Sequence, residues 1–403
     1  MIRLRDTKHQ NTAGFLGSAI RVAEFYGFVP LENALKNSAT PGARKLLPIQ
    51  KVENEISYAR REERALTSVA RRAAQCARGA IPETGAHLFW RTNQGSPSDQ
   101  SISLELHVVG ARGAIAEALL LIVASAIAEE SGLPPRVLSI NNIGSMESSN
   151  RFVRDVGTYL RKHIDTISPT LRPRAATDPL GTLVQLIERG HPAIGRAPQA
   201  MEYLTEDERR RFWELLEYLE MAGLSYELSP HILGSRDCWA HALYELSMTD
   251  QETNSRIPIA FGGRYDPLAS RFGGSVGAAT ISITCEVRGK TRFKRDALGI
   301  PAIYFAHLGV EARRGSLKAL ELLRHAEIPV YHSLCFEKIG DQMAQAKALA
   351  APYVLIMGYK EATENTIMVR EAATNSQESI PLLELPGYLK RRRVGNSRSG
   401  IAA

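Results

Sequence analysis

The longest apolar run of this chain, Ala114 to Ala128, contains a single charged residue, Glu117, and is closed by Glu129 and Glu130. It is too short and too charged to cross a bilayer, which takes roughly 20 apolar residues. A helix that is apolar on most of its circumference has to be buried instead, so this segment reads as a core helix of a globular protein. At 403 residues and 44% hydrophobic content, the chain has material for two or three separate cores. The first residues, Met1-Ile-Arg-Leu-Arg-Asp6, carry no apolar signal region with a cleavage site, and a cytoplasmic location without membrane contact is expected. Cys76, Cys238, Cys285 and Cys335 are widely scattered. None shows the paired spacing of a zinc site, so buried free thiols and no bound metal are expected.

The formal charge of +7 gathers in basic clusters at Arg60-Arg61, Arg71-Arg72, Arg209 to Arg211, Arg313-Arg314 and Lys390 to Arg393. Such a balance favours a polyanion such as RNA as partner, through release of its counterions. Three of the clusters fall within expected helices beside glutamates, where they serve equally well as solvated faces.

Periodicity divides the chain in two. Apolar residues at helical spacing mark Thr12 to Phe28, ended by Gly27, and a second helix runs roughly from Glu62 to Cys76. Alternation at Ile102, Leu104, Leu106 and Val108 marks a strand over Ser101 to Val109, paired with His87 to Arg91 across the turn-forming stretch Asn93 to Ser98. From Ala111 to Gly223 the pattern is mainly helical, with a short strand at Leu138 to Asn141 and a capping box formed by Thr205 and Glu208. Strands resume at Ala242 to Met248, Ile257 to Phe261 and Val276 to Cys285, giving an α+β core over residues 1–290 with a helical insertion at about 145–223. After a linker at Arg288 to Gly299, strands and helices alternate regularly: Ala302 to His307, Glu311 to Ala326, Pro329 to His332, Lys338 to Ala350 and Tyr353 to Met357. A strand at Thr366 to Glu371 and a helix near Leu382 to Arg392 follow. That grammar implies a small mixed α/β domain over 299–393, followed by a disordered tail at 394–403.

Within the first unit, the run Phe261-Gly-Gly-Arg-Tyr-Asp-Pro-Leu268 follows an apolar strand. Gly262 and Gly263 permit close approach of a small ligand to the backbone, with Arg264 and Tyr265 supplying a fixed cation and an aromatic edge. The same residues with Asp266 can instead hold a turn together by hydrogen bonds.

This run resembles the signature of histidyl-tRNA synthetases. Other segments are similar to that family in the same order: Ala23 to Phe28, Asn141 to Ser148, Thr177 to Leu180, Ala197 to Leu204 and, near the end, Tyr353 to Gly358, Val369-Arg370 and Glu378 to Leu382. The resemblance implies a class II aminoacyl-tRNA synthetase-like core, an antiparallel sheet flanked by helices with a helical insertion, then an anticodon-binding-like α/β domain. It also implies a homodimer, with Phe15, Ile20 and Phe25 similar to the family's interface helix.

Position by position, the resemblance implies an uneven inheritance. Thr67 matches a threonine that helps hold histidine, but Ala65 stands at the accompanying glutamate. Phe89 stands where the family has an arginine gripping the α-phosphate, and Arg91 reaches that role only by a two-residue shift. In the histidine-specific stretch, here Gly234 to Trp239, Asp237 is kept, Gly234 replaces an arginine and Cys238-Trp239 replace two tyrosines. Thr284 stands at the arginine that contacts ATP in the third motif. In the C-terminal domain the resemblance points to Arg313, Arg314, Lys338, Gln342 and Lys347 as RNA-binding residues.

Three functions follow. The leading one is a synthetase-like protein without adenylate chemistry, binding tRNA, a ligand or a protein partner in a regulatory role. The second is an active histidine-tRNA ligase, the only reading that calls for ATP and Mg. The third is a regulatory subunit similar to the synthetase-like partner of ATP phosphoribosyltransferase, which usually lacks the C-terminal domain.

Overall fold

The computed structural model describes residues 1–36, 57–79, 85–95, 99–134, 136–250, 253–273, 276–293, 301–392 and 394. The turn residues 96–98, the second half of the expected linker (294–299) and the expected tail beyond 394 lie outside the described residues.

Thirteen strands in the described residues form two sheets. The first contains β1 (Val29–Pro30), β2 (His87–Gln94), β3 (Ser101–Val109), β4 (Arg136–Asn142), β5 (Tyr226–Leu228), β6 (Ala240–Thr249), β7 (Arg256–Arg264) and β8 (Ala278–Glu286). The second contains β9 (Ile303–His307), β10 (Tyr331–His332), β11 (Tyr353–Met357), β12 (Thr366–Glu371) and β13 (Gln377–Pro381).

The large sheet runs in the order β1-β2-β3-β8-β7-β6-β4-β5. Its six inner strands are antiparallel, and the two short edge strands pair in parallel, β1 on β2 and β5 on β4. Alternation along β3 sends Leu104, Leu106 and Val108 to one face, each fully buried, and Ser103, Glu105 and His107 to the other. The apolar face packs on the helices Thr12–Phe25 and Ile115–Glu130, the second being the apolar run read from the sequence. Phe15 and Ile20, which the family resemblance assigned to a subunit interface, lie in this core at 0% and 2% exposure, with Phe25 half-buried against it. They are therefore engaged within the chain.

One charge sits inside that core. Glu117 and Arg264 are each 1% exposed and form a two-pronged ion pair, Nε to Oε1 at 3.0 Å and Nη2 to Oε2 at 2.6 Å. The same guanidinium donates to the carbonyls of Ala111 and Gly113, each at 3.1 Å, and Arg211 adds a second cation to Glu117 at 2.8 Å. Burial alone would raise the Glu117 pKa, but the two guanidinium groups bring it down to about 2.

Between Met146 and Met221 the chain is helical, with the helices Met146–Lys162, Pro179–Glu188 and Glu206–Met221 as its main pieces. The Thr205 hydroxyl accepts from the Glu208 amide and the Glu208 carboxylate from the Thr205 amide, closing the capping box that the sequence suggests.

In the second sheet, of order β10-β9-β11-β12-β13, β9, β10 and β11 are parallel and β12 and β13 complete an antiparallel edge. This domain is bolted to the first by polar contacts. Arg314 pairs with Glu217 of the Glu206–Met221 helix, Arg324 with Glu129 at 2.9 Å, and His332 Nε2 donates to the Tyr26 carbonyl at 2.9 Å.

Two outcomes test these packing arguments. Glu117→Ala strands a buried guanidinium, so chemical denaturation is expected to show a loss of about 3–5 kcal/mol; a loss below about 1 kcal/mol would contradict the pairing. Burial lowers the pKa of His332 from 6.5 to about 4, so the unfolded chain takes up its proton first as pH falls. The contribution of His332 is complete above pH 6.5 and declines towards pH 4, by roughly 3 kcal/mol in all. In His332→Gln the pH dependence of stability in that window is expected to flatten by about one proton.

Candidate functional site

The polar face of the large sheet is the natural place for a site, because its inner strands meet there without a helix covering their full length. Register places Arg91, Glu105, Ser282, Phe261 and Glu245 in one row across β2, β3, β8, β7 and β6. The neighbouring row reads Phe89, His107, Thr280, Gly263 and Leu243. Arg91, Ser282, Phe261 and Glu245 are half-exposed, so the first row forms a solvent-reached floor.

Arg91 is the cation of that floor, and it is engaged. Its Nε donates to Glu105 Oε2 at 2.6 Å, and His107 Nε2 lies 3.5 Å from the same oxygen. Burial pushes the Glu105 pKa up, yet the nearby imidazole and the Arg91 guanidinium outweigh it and bring it to about 2. Burial holds His107 below its ordinary range. The ring is fixed from both sides, stacked on Phe89 at 4.8 Å and bonded through Nδ1 to the Tyr265 hydroxyl at 3.2 Å. Phe89 thus serves as a packing platform for His107. At the far end of β8, Thr284 faces Ser103, hydroxyl to hydroxyl at 3.0 Å.

The glycine pair belongs to packing. A Cβ on Gly262 would lie 2.1 Å from the Thr280 carbonyl, and one on Gly263 would lie 2.5 Å from Leu243 Cδ2. The side chain beside Gly263 is Trp239, whose ring also abuts Gly234, where a Cβ would come within 2.6 Å of Cδ1. The indole therefore lies against glycine backbone at two points, with Phe261 edge-on at 5.8 Å. Its Nε1 donates to Glu62 Oε1 at 2.9 Å, and the other Glu62 oxygen accepts from the Ser235 amide at 2.7 Å.

Glu62 belongs to the Tyr58–Cys76 helix, which is tied to the 233–239 loop along its first two turns. The Tyr58 hydroxyl donates to the Leu233 carbonyl at 3.1 Å, and Arg271 bridges Glu63 and the Asp237 carbonyl at 2.9 Å each. The result is a helix strapped over a loop whose tryptophan fills the space above Gly263.

Other residues singled out in the sequence fall in different places. Arg264 and Tyr265 are buried at 1% and 0%, and their polar atoms are taken up internally, so they brace the fold and do not line an open pocket. Thr67 donates to the Glu63 carbonyl one turn back in its own helix, at 2.6 Å. Asp237 is half-exposed and lies 3.7 Å from Arg271. In the second domain, Gln342 is fully buried, accepting from the His307 amide at 2.8 Å and the Ser333 hydroxyl at 2.6 Å, so it is a brace and not an exposed reader of RNA. Arg314 belongs to the domain contact, and Arg313 donates to the Phe336 carbonyl at 2.9 Å. Lys338 and Lys347 are exposed.

The sequence reading passed over Glu105, His107 and Glu62. The first two carry a signal, since Ser101, Ser103, Glu105 and His107 alternate with four apolar residues on a single strand. Glu62 carries none, because its importance comes from residues more than 170 positions away.

Among the described residues, the side chains of this floor offer a triphosphate little positive charge. Its guanidinium is neutralised by an ionised carboxylate, a second carboxylate stands at Glu245, and the remaining polar groups are neutral hydroxyls. No group of three or more His, Cys, Asp or Glu residues able to hold a metal ion occurs among the described residues. No helix among the described residues is long and apolar enough to cross a membrane.

Residues 307–392 match the family model described as "Anticodon binding domain". The chain is 27% identical over 296 residues to the histidine–tRNA ligase of Staphylococcus haemolyticus, covering 71% of this chain and 69% of that protein. It is 27% identical over 297 residues to the histidine–tRNA ligase of Bacillus subtilis, covering 72% and 70%. Among solved structures it is similar to apo histidyl-tRNA synthetase from S. aureus, with a TM-score of 0.44, 22% identity and coverage of 80% and 81%.

Trp239→Ala is expected to destabilise the chain by about 3–5 kcal/mol, because a well-packed indole leaves a cavity between glycines that cannot collapse onto it. A denaturation midpoint unchanged from wild type would show that the ring is not packed there.

Proposed function

Starting from the chain as a member of the histidyl-tRNA synthetase family, we propose that it binds tRNA and does not form an aminoacyl-adenylate. The observation that carries this reading is the Arg91–Glu105 pair at 2.6 Å. An arginine that is to grip a phosphate acts through its net positive charge, and here Nε and the charge of Arg91 are already committed to the partly buried Glu105 carboxylate. The Thr284–Ser103 hydroxyl contact supports the same conclusion, since position 284 offers a neutral hydroxyl in place of a cation. The indole of Trp239 adds to it by filling the space over Gly263 where a small substrate would lie.

Support for tRNA as partner comes from the anticodon-binding match over 307–392, the net charge of +7 and the exposed Lys338 and Lys347 on one helix segment. The presence of that domain also speaks against the regulatory-subunit reading, since the synthetase-like partner of ATP phosphoribosyltransferase usually lacks it. A cytoplasmic regulatory protein acting on a tRNA-linked process is the role that fits these features together.

Two measurements check the proposal on the full chain. Histidine-dependent exchange of pyrophosphate into ATP is expected at background level; exchange clearly above it would overturn the non-catalytic reading. Binding of unfractionated tRNA, followed by filter retention at two salt concentrations, is expected to weaken with salt and to fall several-fold in a Lys338→Glu, Lys347→Glu double variant. Retention indifferent to both would remove RNA as the partner.

A further inference from the structure

On the opposite side of the large sheet, β4 presents Arg136, Leu138 and Ile140 to the layer of helices, and Ser139 and Asn141 to the polar face. Leu138 and Ile140 are core residues, 5% and 0% exposed. Arg136 thus opens a row whose next two residues are apolar, and it is itself half-buried. Its Nη1 donates to the Leu133 carbonyl at 3.2 Å. Among the described residues no carboxylate forms an ion pair with it. Glu129, the acid whose charge reaches it, is engaged by Arg324 at 2.9 Å. A guanidinium on the core side of a sheet ordinarily has a carboxylate partner, as Arg264 has Glu117 in the same core.

Beside this arginine lies a crevice of about 190 Å³. Its floor is apolar, formed by Leu121 and Ala124 of the Ile115–Glu130 helix with Leu138 and Leu246, all at most 5% exposed. Its rim is polar, formed by Ser125, by the exposed turn at Gly223 and Ser225, and by Arg136 itself. Ser125 is a polar interruption on the most apolar helix of the chain. An apolar cavity of about 150 Å³ is enough to hold a benzene-sized group. Placing one cation at the mouth of such a space selects an anion whose tail is small and hydrocarbon, because the head finds charge-assisted hydrogen bonds while the tail leaves water.

We propose that this crevice is a binding site for a small monocarboxylate with a compact apolar tail, its carboxylate on Arg136 and its tail against Leu121, Ala124, Leu138 and Leu246. The site lies across the sheet from the Arg91–Glu105 floor and is independent of the reading given to that floor. Phosphate has the wrong balance for it, since a dianion without a tail leaves the apolar floor wet.

Calorimetric titration of the full chain with hexanoate and benzoate, beside hexanol and benzyl alcohol as neutral counterparts, tests the proposal. Saturable binding of the acids is expected, about 10-fold or more tighter than the alcohols, as a charge-assisted hydrogen bond implies. Arg136→Gln is expected to bring acid and alcohol to equal affinity, and Ser125→Leu to weaken both by narrowing the mouth. Equal binding of acid and alcohol by the unmodified chain would overturn the role of Arg136 without relying on any variant. Absence of saturable acid binding up to millimolar concentrations would overturn the site as a whole.

Discussion

The Glu117–Arg264 pair is the interaction on which the first domain depends. It links the most buried helix to the last residue of β7, and through Arg211 it reaches the Glu206–Met221 helix that carries the second domain. The desolvation cost of two buried charges is high, and the geometry answers it with a bidentate contact plus two backbone carbonyls on the same guanidinium. A pair so constrained fixes how β7 sits on the helix layer, and with it the register from which the polar rows of the opposite face are built.

That face is held together by small local pairings. Several polar groups that would interest a ligand have partners inside the chain: Arg91 with Glu105, Thr284 with Ser103 and Trp239 with Glu62. The scaffold is unaffected, because the pairings form among side chains pointing away from the core. Fold and chemistry are therefore separable here, and the likeness to histidine–tRNA ligases over most of the chain says more about the first than about the second.

Long alternating elements were legible in the sequence. Ser101–Val109 and Thr366–Glu371 have the bounds that alternation assigns them, since side-chain burial on alternate faces is written directly in residue order. The edge strands Val29–Pro30, Tyr226–Leu228 and Gln377–Pro381 were not, because two to five residues hold no period and owe their conformation to a neighbour's open edge. The site was legible in its residues and obscure in its roles. Gly262 and Gly263 stood out as permissive backbone, but whether a ligand or a side chain fills the space depends on Trp239 and Leu243, and only folding brings those together. Gln342 looked like a surface amide for the same reason: nothing near it in sequence announces His307 or Ser333.

The seat of Trp239 against Gly234 and Gly263 constrains how this chain can change over generations. A side chain added at Gly234 collides with the indole and one added at Gly263 collides with Leu243 and crowds the indole, while shrinking the indole first leaves a void between two bare stretches of backbone. The three positions form an interlock in which each holds the others still, so change at this spot has to begin at the tryptophan and pass through a less stable intermediate before either glycine is released.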